Sequence, residues 1–99
     1  MMIRVIYIWH VEPEKIELFI ETWKATTNEI HKNVRGARGS FMLRNIQNSK
    51  EIKTIARWDS FEDWRVFWLN KNRTHMQSMH ELGKRISVEA YDEIDDYTK

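Results

Sequence analysis

Residues 3–11 read IRVIYIWHV. In an extended chain successive side chains point to opposite faces, so Ile3, Val5, Tyr7, Trp9 and Val11 share one side, while Arg4, Ile6, Ile8 and His10 share the other. The odd-numbered face is wholly apolar, as a strand laid against a core requires. The even-numbered face carries two isoleucines where an antiparallel sheet covered on one side only would turn polar groups to water. A strand with two apolar faces asks for two covering layers, and the rest of the chain must supply them.

Pro13 suits a first helical turn, where its missing N–H is no loss, and Glu14 and Glu17 favour the positive end of the helix dipole. Ile16, Phe19, Ile20, Trp23, Thr27, Ile30 and Val34 follow at helical spacing, which predicts a long amphipathic helix. RGARG at 35–39 ends it, with Gly36 available as a left-handed cap. Ser40–Ile46 and Glu51–Trp58 are expected to be strands joined by the turn QNSK. Asp59 or Ser60 can cap the next helix, Ser60 and Asp63 resembling a capping box. On that helix Phe61, Trp64, Phe67 and Trp68 share one face. NKN at 70–72 interrupts the pattern before His75, Met76, Met79 and Leu82 resume it, and Gly83 closes this shorter helix. Ile86–Ile94 alternates again as a last strand. The order strand, helix, strand, strand, helix pair, strand is the ferredoxin-like α+β plan, with an antiparallel sheet.

Two helical layers from 99 residues cannot cover both sides of such a sheet. The expected helix side carries Val5, Tyr7, Phe41, Leu43, Ala56, Trp58, Val88 and Ala90. Opposite them stand Ile6, Ile8, Met42, Ile55 and Tyr91, together with Arg4, His10, Arg44, Lys53 and Arg57, which would need acidic partners such as Glu89 and Glu93. A second copy of the chain is the economical cover, so a homodimer is expected.

Length fits one domain spanning 1–99, and 41% hydrophobic with 31% charged residues is a globular composition. Sixteen basic residues against fifteen acidic ones point to no polyanionic partner. The absence of cysteine excludes disulfides and thiolate metal sites. No signal peptide or membrane span is expected, and a cytoplasmic location is. No ribonucleoprotein motif accompanies the plan that RNA-recognition modules share, so no nucleic acid is expected. His10, His31, His75 and His80 offer no metal spacing; the last two, five apart, diverge around the helix.

MIRVIYIWHVEPEKIELFIETW, RGARGSFMLRN, IKTIARWDSFEDWRVFW and ISVEAYDEID together resemble the antibiotic biosynthesis monooxygenase domain, over nearly the whole chain. The resemblance implies a dimeric α+β barrel with a pocket between the helices and the sheet in each subunit. Members oxidise anthrone-like polyketides or quinols with molecular oxygen and no cofactor; others bind and degrade haem. Haem-degrading members carry an Asn on the first strand, where this chain has Tyr7. They also place a His ten residues after a helical Trp, a spacing that lands here on Thr74 and Ser78 and so disfavours that activity. The oxygenase reading makes Tyr7 and His75 the proton-handling residues. Trp9, Phe41, Trp58, Trp64, Trp68 and Met79 would hold a flat aromatic substrate beside O2, with Asn45 at the rim. Such aromatics also serve as plain core, and a non-catalytic dimeric ligand-binding protein is the other reading.

Overall fold

A computed structural model describes residues 2–70 and 74–98; for Thr74 and His75 it describes the backbone alone. The elements are β1 (Ile3–His10), a single 3₁₀ turn (Pro13–Lys15), α1 (Ile16–Asn33), β2 (Ala37–Arg44), β3 (Glu51–Trp58), α2 (Phe61–Leu69), α3 (Thr74–Leu82) and β4 (Lys84–Asp92). The strands form one antiparallel sheet in the order β2-β3-β1-β4, the ferredoxin-like arrangement. Of the NKN break, Asn70 caps α2, and Lys71 and Asn72 lie outside the described residues.

β1 alternates strictly between buried and half-buried positions, and Ile3, Val5, Tyr7, Trp9 and Val11 enter the core with Phe19, Ile52, Trp58, Trp64 and Met79. Ser60 caps α2, its Oγ accepting from the Asp63 N–H at 3.1 Å. Asp59 is engaged elsewhere, taking both Nε and an Nη of Arg38 at 2.7 and 3.1 Å.

α1 hands over to β2 through a turn in which the Ala37 N–H donates to the Val34 carbonyl and Gly36 has φ +83°. That third position of a type II turn requires positive φ. A Cβ on Gly36 would also overlap the carboxylate of Asp63. Gly36→Ala should therefore cost the left-handed penalty of about 1–2 kcal/mol and more for the displaced carboxylate, lowering the melting temperature by about 5–15 °C. An unchanged melting curve would contradict the turn.

β2 departs from expectation in both start and phase. Ala37 pairs with Trp58, yet the next inward pair is Ser40 with Ala56, so Arg38 and Gly39 together oppose one residue of β3. Gly39 has φ +88°, and the result is a β-bulge. The bulge reverses the alternation downstream. Ser40 and Met42 turn toward the helices; Phe41 and Leu43, expected there, turn to the other face and are 45% and 49% exposed.

The outer face carries apolar side chains from all four strands among charged ones such as Arg4, Lys53, Arg57 and Glu89. Phe41 pairs with Ile55, Ile55 with Ile6 and Arg4 with Tyr91, all within this side. The expected charge pairing centres on Glu93, which accepts from Arg4 Nε at 2.5 Å and an Arg57 Nη at 3.1 Å. His10 meets Glu12 instead, at 3.1 Å.

Candidate functional site

Between the helices and the β1–β3–β2 part of the sheet lies a cavity of about 50 Å³. α1 lines it with Trp23, Thr26, Thr27 and Ile30. The sheet adds Tyr7, Ser40, Thr54 and Trp58, and the far wall is Phe67, Met76 and Met79. This is space for a few waters. Among the described residues the wall is mostly apolar, and its polar side chains are the hydroxyls of Tyr7, Thr26, Thr27, Ser40 and Thr54, the indoles of Trp23 and Trp58, and Arg57.

Tyr7 is 5% exposed, and its phenol oxygen accepts from Trp64 Nε1 at 3.2 Å. The phenol's own hydrogen has no acceptor among the described residues. Burial raises its pKa above the ordinary 10.0, the Trp64 hydrogen bond and the Arg85 charge pulling the other way without prevailing. Tyr7 is thus a neutral hydrogen-bond donor at physiological pH. On the α1 flank, Trp23 Nε1 donates to Ser40 Oγ at 3.0 Å, and Thr27 Oγ1 lies 3.4 Å from the same oxygen.

The residues singled out from the sequence separate here. Tyr7, Trp58 and Met79 line the cavity. Trp9 lies behind it as core, fully buried, with Nε1 bonded to Thr54 Oγ1 at 3.1 Å and its ring edge-on to Phe19 at 5.3 Å. Trp64 reaches the site only through Tyr7, and it stacks on Trp68 at 5.5 Å. Trp68 has the Arg85 guanidinium over its ring, 4.7 Å from the ring centre, and is not a wall of the cavity. Phe41 is removed from the site by the β2 bulge. Asn45 is exposed in the β2–β3 turn, where its side chain holds Glu51 and the N–H groups of Gln47 and Asn48. The side chain of His75 lies outside the described residues.

Trp23, Thr26, Thr27, Ile30, Ser40, Phe67 and Met76 line the cavity without having been assigned to it. For Trp23, Thr27 and Ile30 the helical periodicity was sufficient to place them on the inner stripe. For Ser40 the signal was Gly39, since a lone glycine at a strand start marks a bulge. Among the described residues no three His, Asp or Glu side chains gather as a metal site, and no helix is long and apolar enough to cross a membrane.

The sequence profile for antibiotic biosynthesis monooxygenases matches residues 1–82. Among curated proteins no sequence matches the chain. Among solved structures, a single-residue variant of SnoaB, a cofactor-independent oxygenase from Streptomyces nogalater, superposes with TM-score 0.77 at 13% identity, covering 99% of this chain and 98% of that one. A Caulobacter crescentus CB15 protein whose name places it provisionally in the same family gives 0.78 at 16%, covering 95% and 91%. Rv0793 from Mycobacterium tuberculosis gives 0.72 at 14%, covering 99% and 100%. At these identities the likeness is one of fold.

Proposed function

Because this chain belongs to the antibiotic biosynthesis monooxygenase family, we propose that it is a cofactor-independent monooxygenase, a cytoplasmic homodimer acting on an anthrone- or hydroquinone-like aromatic. The observation that carries the proposal is a largely apolar cavity lined by a buried, neutral phenol, Tyr7, whose hydrogen no described residue accepts. SnoaB, a cofactor-independent oxygenase, shares this fold.

Without a cofactor the electrons come from the substrate. An anthrone loses a C–H proton to a base, and the resulting enolate gives one electron to O2. Superoxide and the carbon radical combine into a hydroperoxide, which loses water to leave a carbonyl. In balance, the ring methylene gives up both hydrogens, one oxygen atom of O2 becomes the new carbonyl, and the other leaves as water. The protein orients the ring, excludes water and stabilises the enolate oxygen. Tyr7 donates its hydrogen to that oxygen. Proton removal is assigned to His75, whose neighbour Met76 lines the cavity. Met76 and Met79, unbranched and adaptable, are the part of the wall that yields to an entering ring. Incubation with 1,8-dihydroxyanthrone should give oxygen uptake matched one to one by anthraquinone formation, whereas menadiol, which has no methylene to oxygenate, would give menadione with hydrogen peroxide. Quenching of tryptophan fluorescence without uptake would instead establish the ligand-binding reading, which the small cavity favours.

The homodimer is proposed to seal the outer sheet face through Ile6, Ile8, Phe41, Leu43 and Ile55. Phe41→Asp should weaken self-association at least about thirtyfold in sedimentation velocity while leaving the monomer folded. A wild-type chain that stays monomeric at high micromolar concentration would remove this part of the proposal.

A further inference from the structure

The bulge in β2 exchanges one kind of side chain for another at the cavity. Without it, the alternation set by the inward Ala37 would continue through Gly39 to Phe41 and place a phenyl ring toward the helices. The extra residue brings in the Ser40 hydroxyl instead, and Phe41 goes to the outer face. Bulges commonly re-aim a side chain beside a functional site. Here the re-aimed hydroxyl does not stand alone: the Trp23 N–H points into its oxygen at 3.0 Å and Thr27 Oγ1 lies 3.4 Å away. With one oxygen lone pair taken by the indole, Ser40 and Thr27 hold between them more hydroxyl hydrogens than their mutual bond uses.

Tyr7 stands on the other flank. It pairs with Thr54, Thr54 pairs with Met42, and Ser40 lies two residues from Met42. Two strand spacings across and two residues along place the Tyr7 and Ser40 Cα atoms about 12 Å apart. Both residues line the same cavity, with the apolar Ala56 and Trp58 also on the sheet floor. The geometry points to a two-ended site: Ser40, held by Trp23 and Thr27, is a specificity-determining residue that hydrogen-bonds an oxygen function at the edge of the aromatic ligand remote from Tyr7. The preferred ligand is therefore a planar aromatic oxygenated at both ends rather than at one. This inference rests on the cavity being the aromatic-binding site proposed above.

Naphthalene-2,6-diol and 2-naphthol, neither of them an anthrone, separate this claim from catalysis. Tryptophan quenching of the wild-type protein should show the diol binding about five- to tenfold more tightly, the worth of one added hydrogen bond. In Ser40→Ala the preference should fall to about twofold, the statistical advantage of a ligand with two equivalent hydroxyls against the remaining donor, Tyr7. Ser40→Thr, which keeps the hydroxyl, should restore it, and thermal melts of both variants show that they are folded. An unchanged preference in Ser40→Ala overturns the inference and leaves the oxygenase reading intact. Failure of both compounds to bind the wild type overturns the two-ended site together with the cavity as an aromatic-binding site. Preference behaviour as expected, with no oxygen uptake on any anthrone, upholds the two-ended site and removes the oxygenase.

Discussion

Trp9→Ala is expected to leave little of the folded state at 37 °C. The indole is fully buried, packs edge-on against Phe19, lies 6.4 Å from the Tyr7 ring, and satisfies Thr54 Oγ1. Truncating a buried aromatic to alanine costs about 3–5 kcal/mol, since the surroundings collapse only partly into the space. Thr54, itself 3% exposed, loses its hydrogen-bond donor in the same change. Against a total stability of about 5–15 kcal/mol for a small domain, little margin remains. The thermal midpoint should drop by about 15–30 °C, or the cooperative transition should vanish. Trp68→Ala, at a half-buried position, should cost far less. The comparison separates a tryptophan that builds the core from one that merely borders it; near-equal losses would show that the distinction drawn from burial is wrong.

Much of the fold was legible because each signal was local and unopposed. IRVIYIWHV alternates without interruption, and the structure follows it residue by residue. Pro13 opens the 3₁₀ turn Pro13–Lys15 rather than α1 itself, which follows the apolar spacing from Ile16, and Ser60 caps α2 as its position suggested. β3 runs over Glu51–Trp58, the span its composition indicates. β2 was harder because a period of two carries a phase as well as a position, and one extra residue inverts every later side chain. Starting the strand at Ser40 placed Gly39 outside it, and with Gly39 went the only mark of the bulge.

The site was less legible than the fold for a related reason. Helical spacing puts Trp64 and Trp68 on one side of α2 but does not say what lies beneath that side. The structure sets Trp64 against Tyr7 and Trp68 toward Arg85, so neither forms the wall that their number suggested. The cavity draws instead on Trp23, Thr26 and Thr27, far away in the chain and brought near by the crossover of α1 over β2 and β3. Such proximity is a property of the packed layers. The apolar outer face, by contrast, was visible in Ile6 and Ile8 alone, and the bulge enlarges it by adding Phe41 and Leu43.

Tyr7→Phe is expected to lower kcat/KM for oxygen uptake on an anthrone by about 10²–10³-fold, the effect of removing one donor to a developing oxyanion. The phenyl ring keeps the contacts with Trp9 and Trp68, so substrate packing is preserved and the loss should fall on kcat. Trp64 Nε1 loses its acceptor, which costs stability by about 1–3 kcal/mol. The pH dependence distinguishes this donor from a base. Because burial raises the Tyr7 pKa above 10.0, the phenol stays protonated through the neutral range, and no activity limb below about pH 10 should disappear in the variant. A limb near neutrality has an origin other than this phenol and should persist in Tyr7→Phe. Stability supplies the sign. Below pH 10 the folded and unfolded phenols both hold their proton; above it the unfolded one ionises first, so the wild type loses stability that the variant, having no hydroxyl there, does not. The stability gap between the two proteins should therefore narrow as pH rises beyond 10. A Tyr7→Phe enzyme with undiminished uptake would show that the enolate oxygen finds its donor elsewhere; a neutral-pH limb that vanishes with the hydroxyl would make Tyr7 a base and contradict its burial.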